Sequence, residues 1–131
     1  MDQKTNNRLA LIAAGISGFV GVSAGAFGAH GLAKRVSDAD LSIWGTASQY
    51  QLFHAVALLA VAAIPSCKHR RLVVWSWIVG TLLFSGSLYV LVLSGIRKLG
   101  MITPLGGLCF LFGWAVVFSL GLKAVKEDLS P

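Results

Sequence analysis

From Leu9 to Ala29 no charged side chain interrupts an apolar run, and this removes most soluble folds from consideration. A helix rises ~1.5 Å per residue, so the run is long enough to cross a hydrocarbon core of ~30 Å. Three comparable stretches follow: Ile43–Ile64, stopped by Pro65; Leu72–Leu93; and Pro104–Leu122, with Thr103 placed as N-cap and Pro104 at the first helical position. The 131 residues are 56% hydrophobic and 12% charged, with a mean hydropathy of +0.76. A soluble core of that size could not hide so much apolar surface, whereas lipid can cover it. The predicted fold class is all-α: a single membrane domain over residues 1–131, built as an integral four-helix bundle with short loops. The lipid bilayer is its first partner.

The basic residues give an orientation. The N-terminus (Lys4, Arg8), the second loop (Lys68, Arg70, Arg71) and the C-terminus (Lys123, Lys126) share one side of a four-span chain, seven charges in all. The opposite side holds four: Lys34, Arg35, Arg97 and Lys98. Cytoplasmic loops carry the excess of Lys and Arg, so both termini are placed in the cytoplasm. The same dispersal in short flanks argues against nucleic-acid binding, despite the net charge of +6. Lys4, Arg8 and the small residues at Ala24-Gly25-Ala26 imitate a cleaved signal peptide, but the run stays apolar beyond them and is read as a retained helix. Ser37 followed by Asp40 is a capping signal that moves the start of the second helix up to Asp38. Cys67 and Cys109 are far apart and form no metal or disulfide pattern.

Gly18, Gly21, Gly25 and Gly28 recur at spacings of three, four and three, one face of the first helix. Association in lipid depends on close backbone packing, so this seam is expected to pack within the bundle ahead of serving a homo-oligomer. Gly80, Ser87 and Ser94 on the third span, and Gly106 and Gly113 on the fourth, supply matching small faces. Trp44, Trp75 and Trp77 are expected at the interfaces, and Trp114 as packing.

Polar side chains are costly in a bilayer, and the second span carries several. Ala47, Tyr50, Gln51 and His54 fall within about 100° of one another on a helix, with His54 near the midplane. That face must look inward, with His54 neutral and bonded to Ser85, Ser87 or Tyr89 of the third span. His30 belongs at the outer rim, too far from His54 for a shared metal, and no carboxylate lies within a span to complete one. No cofactor is expected, and no nucleophile and base can be assembled, so catalysis finds no support. The favoured role is a polar clasp fixing helix register. The alternatives are a binding or transport unit for a proton, lipid or small molecule around His54, and a haem- or redox-linked component.

Gly25-Ala-Phe-Gly-Ala-His30, Tyr50-Gln51-x-x-His54, Leu83-Phe-Ser85-Gly86-Ser87-Leu-Tyr89 and Ile102-Thr-Pro104-Leu-Gly106-Gly107 with Gly113-Trp114 together resemble the YgdD/YwdK-like small membrane proteins. This bacterial family of unknown function is related to the eukaryotic transmembrane protein 256. The resemblance covers nearly the whole chain and implies a multi-span protein of the bacterial inner membrane. It implies no activity or substrate, and the family's recognisable residues include His30, Gln51, His54 and Ser85-Gly86-Ser87.

Overall fold

A computed structural model describes residues 3–64 and 69–128, with side chains for residues 5–64 and 69–125. Pro65, Cys67 and Lys68 lie outside the described residues, as do the side chains of Lys4 and Lys126. Among the described residues there are helices and turns and no strand. Helix α1 (Gln3–Phe27) widens into a π turn at Gly28–Leu32, and α2 spans Asp38–Ala63. Helix α3 (Arg70–Thr81) passes through a second π turn, Leu82–Gly86, into α4 (Ser87–Ser94), the two making one rod. A 3-10 turn at Arg97–Met101 leads to α5 (Thr103–Asp128).

The ends of these elements have local causes. Ser37 is extended, and its Oγ accepts the Asp40 N–H at 3.1 Å, so α2 begins at Asp38 with two acidic residues at the positive end of its dipole. Its last turn is served from outside. Arg70 is buried and donates Nε to the Val61 carbonyl at 3.2 Å and Nη2 to the Ile64 carbonyl, answering acceptors that a helix end leaves open. Gly95 stops α4 with φ of +73°, a left-handed conformation that glycine adopts freely, and its N–H returns to the Leu91 carbonyl at 2.9 Å.

Three rods, Thr5–Leu32, Arg70–Ser94 and Arg97–Val125, are long and apolar enough to cross a membrane. Sequence reading treated Ile43–Ile64 as their equal, and the structure sets it apart. Helix α2 has the length, at 26 residues, but Gln49, Gln51 and His54 dilute its apolar character. One side of it is covered by the other rods, burying Trp44, Ser48, Gln51, His54 and Leu58. The outside of the molecule is apolar, with Phe19, Val56, Leu82, Leu111 and Phe118 all exposed. This is the reverse of a water-soluble surface.

Two apolar clusters flank the middle. One joins Leu32, Trp44, Leu91 and Val92. The other joins Ala14, Leu58, Val61, Val74, Trp77 and Phe110. Two of the tryptophans assigned to interfaces therefore belong to the core. Trp44 and Trp77 are only 5% and 1% exposed, donating to the Ala24 carbonyl at 2.7 Å and the Phe110 carbonyl at 3.3 Å. An indole seated beside a glycine can reach a carbonyl of the facing helix, which outweighs an interfacial position. Trp75 stays exposed.

Helices α3 and α5 bring backbone against backbone where Gly80 meets Gly106. A Cβ on Gly106 would stand 2.8 Å from Phe84 Cβ and 2.9 Å from the Gly80 carbonyl oxygen, closer than side chains pack. Gly113 lies against the Trp77 indole and Ser76. Ser94, the last residue of the expected small line, instead bonds its own helix at the Val90 carbonyl, 2.6 Å away.

Candidate functional site

The polar residues of α2 divide between two faces, and each face meets a different neighbour. Toward α1, Gly28 lies against Trp44, Gly25 against Ser48, Gly21 against Leu52 and Gln51, and Gly18 against Ala55. The pairing runs antiparallel. Without side chains in the way, three α2 donors reach carbonyls of α1: Trp44 Nε1 to Ala24, Ser48 Oγ to Gly21 at 3.0 Å, and Gln51 Nε2 to Ser17 at 3.1 Å. Gln51 continues the chain across the bundle, since Tyr89 on α4 donates its hydroxyl to Gln51 Oε1 at 2.8 Å.

The second face carries His54, whose partners are not the expected ones. Of the hydroxyls offered by the third rod, Ser85 donates to the Ala47 carbonyl at 2.8 Å, Ser87 pairs with Thr103 Oγ1 at 2.8 Å, and Tyr89 serves Gln51. Helix α5 occupies the place beside the imidazole. The Phe110 ring stacks on it with centroids 3.6 Å apart and an angle of 12°, and Trp114 Nε1 donates to His54 Nε2 at 3.2 Å. His54 Nδ1 is 2.8 Å from the Tyr50 carbonyl one turn back. An indole N–H only donates and a carbonyl only accepts, so these contacts assign the neutral Nδ1–H tautomer with both nitrogens engaged. Trp114, expected to do no more than pack, is the cross-helix partner.

His30 stands apart from this network, and Tyr50 joins it through its carbonyl and ring, its hydroxyl having no hydrogen-bond partner among the described residues. His30 is exposed in the first π turn, where the wider helix alters the phase that a regular helix would give it. Tyr50 is 41% exposed and stacks on Phe84 with centroids 4.7 Å apart. It borders a cleft of about 480 Å³ between α2, the second π turn and α5, also lined by His54, Phe84, Gly107, Phe110 and Trp114. A groove of about 400 Å³ between α1, α2 and α3 is lined by apolar residues with Ser17, Gln51 and Thr81. The second π turn places Ser85 toward Ala47, and Ser87 Oγ donates to the Phe84 carbonyl at 3.0 Å inside the turn. An i→i+5 turn leaves such a carbonyl loosely held, and a serine two or three residues on can answer it.

Sequence reasoning missed Ser17, Ser48, Trp114 and Thr103. Ser48 had a usable signal, because Trp44, Ser48, Gln51 and Ala55 share one helical stripe that can run along four glycines. Trp114 had none, since its role depends on which helix stands beside α2. At the start of α2, Arg97 forms a bidentate pair with Asp40, with Nη2–Oδ2 at 3.0 Å. The Arg97 hydrogen bond, and behind it the one from Ser37, hold the Asp40 carboxyl below the usual carboxylate value.

A family model described as a protein of unknown function (DUF423) matches residues 24–107. The chain is 41% identical over 118 residues to the UPF0382 membrane protein SAB0533 of Staphylococcus aureus (strain bovine RF122), covering 88% of this chain and 97% of that one. It is 39% identical over 130 residues to the UPF0382 inner membrane protein YgdD of Escherichia coli (strain K12), covering 95% and 97%. A UPF0382 membrane protein of Staphylococcus epidermidis is 40% identical over 115 residues, covering 86% and 94%. No solved structure matches significantly.

Proposed function

For a chain that belongs to the DUF423 family of membrane proteins of unknown function, we propose a structural or accessory, non-catalytic role in the bacterial inner membrane, carried by α2 as a polar tie between the other rods. The observation that carries this reading is the destination of the polar groups. Ser48, Gln51, His54 and Ser85 all bond to other groups of the protein, largely backbone carbonyls of facing helices. A lone pair on His54 Nε2 that already accepts the Trp114 N–H is not free for a haem iron or another metal.

In this reading α2 is a fourth span and both termini face the cytoplasm. The relative named as an inner membrane protein supports the location. The excess of Lys and Arg on the termini and the second loop, seven against four, supports the orientation. A reporter fused after Pro131 then reports cytoplasm, and a periplasmic signal rejects the topology.

A second reading, a site for a small apolar molecule, is favoured by the cleft beside Tyr50 and His54. One experiment separates the two. If the site is a tie, the double change His54→Leu with Trp114→Phe leaves helicity intact and costs about 1 kcal/mol, because one interhelical bond and its orphaned partner go together. On the same reading, purified wild-type protein is expected to show no Soret band. A compound co-purifying with the wild type and absent from the folded double variant would reject the tie in favour of a binding site.

A further inference from the structure

Helix α2 carries a polar feature that the tie does not use. Ser42, Gly45, Gln49, Val56, Ala60 and Ala63 are all exposed. At 100° per residue they lie within about 60° of one another, on the side of the helix opposite Gln51 and Leu58. Their spacings of three, four, seven, four and three keep them on one continuous face of the helix.

Most of these residues are at home against lipid. Gln49 is not. Among the described residues its carboxamide has no hydrogen-bond partner, and it lies six positions beyond Ile43, about 9 Å inside the span. A carboxamide offers a donor and an acceptor, so the group that answers it most completely is another carboxamide related by a two-fold axis. Gly45, one turn away, has no atom within 4 Å of the place a Cβ would occupy, which leaves room for a second backbone to approach. The composition of α2 points the same way. It alone among the four rods is not apolar enough to cross by its own composition, and its own chain covers only the opposite face.

We infer that α2 pairs in parallel with α2 of a second copy of this chain, Gln49 against Gln49, about a two-fold axis along the membrane normal. A single polar residue in an otherwise small and apolar seam fixes register between the two copies. The inference rests on α2 crossing the membrane, and its test separates failure of that premise from failure of the pairing.

The full chain, with Cys67→Ser and Cys109→Ser, is reconstituted in lipid vesicles carrying Val56→Cys, on the seam near mid-membrane, or Gly15→Cys, at an equally open position on α1. Oxidation is expected to cross-link two copies at position 56 and not at 15. In the same vesicles, energy transfer between labelled copies should show Gln49→Leu weakening association about three- to tenfold, with helicity unchanged. Equal cross-linking at both positions, no cross-link at 56, or association unaffected by Gln49→Leu overturns the pairing. Reaction of Val56→Cys with a membrane-impermeant maleimide shows instead that α2 is not a span, and the premise falls with it.

Discussion

Gly106 and Gly107 are adjacent on α5, yet a methyl group on each meets a different fate. On Gly106 the new carbon would lie 2.8 Å from Phe84 Cβ and 2.9 Å from the Gly80 carbonyl oxygen, against 3.4 Å for ordinary contact, and closer still to the Phe84 amide nitrogen. Part of this obstruction is backbone, which no rotamer change relieves. Helix α5 must therefore move off α3 by at least half an ångström over a close-packed contact. Overpacking of this kind costs about 1–3 kcal/mol. On Gly107 the nearest atom would be Phe84 Cδ2 at 3.9 Å, an ordinary contact bordering the cleft. There alanine is free to add its helix preference, worth roughly 0.5–1 kcal/mol over glycine. That preference is common to both positions and cancels, so Gly106→Ala should be less stable than Gly107→Ala by the overpacking alone, about 1–3 kcal/mol. Reversible unfolding in mixed micelles, followed by far-ultraviolet circular dichroism, measures both variants on one scale. Equal midpoints, or a more stable Gly106→Ala, would refute the close approach of α3 and α5 at Gly80.

Gln51→Leu removes two interhelical bonds, to the Ser17 carbonyl and from the Tyr89 hydroxyl. At ~0.6 and up to ~1.7 kcal/mol each, unfolding in the same micelles should lose roughly 1–3 kcal/mol. Adding Tyr89→Phe should recover part of that loss, because the phenol no longer lacks an acceptor; strictly additive losses contradict the network. The Asp40–Arg97 pair predicts an acid-sensitive start to α2. Arg97, and after it Ser37, hold the carboxyl below its ordinary value in the fold. Its contribution is therefore complete above the unfolded carboxylate value of ~3.9 and fades as pH falls through the lower folded one. Hydrogen exchange in the first turn of α2 should accelerate across that interval in the wild type and show no such step in Arg97→Gln; matching profiles would remove the pair from the account.

How much of this was legible in the sequence depends on the range of the interaction. Ser37 and Asp40 announced the start of α2 because capping is local, and the four glycines of α1 marked a contact face because periodicity is local. Gln51 and His54 were singled out because polar groups in a bilayer are costly whatever surrounds them. The partner of His54 was a different kind of question. Antiparallel neighbours in sequence suggested Ser85, Ser87 and Tyr89, but the imidazole lies against α5, a helix further along the chain, and no spacing encodes which rod fills that position. The π turns were equally silent. They contain His30 and Ser85, and the second carries Ser85 to the Ala47 carbonyl. Charge counting saw Arg70 only as part of a basic loop, whereas the fold buries it as the acceptor-satisfying end of α2.

The ladder of Trp44, Ser48 and Gln51 on the Ala24, Gly21 and Ser17 carbonyls also bears on the order of biogenesis. A segment with this many amide, hydroxyl and imidazole groups is a poor substrate for lateral release into lipid on its own. Its donors find their acceptors on the segment synthesised immediately before it. On the proposed four-span reading, a hairpin of α1 and α2 enters lipid with these three donors already answered, while Gln51 Oε1 and His54 Nε2 await Tyr89 and Trp114 from later segments. A one-residue slip between the two breaks all three bonds together, so the hairpin is held in a single register.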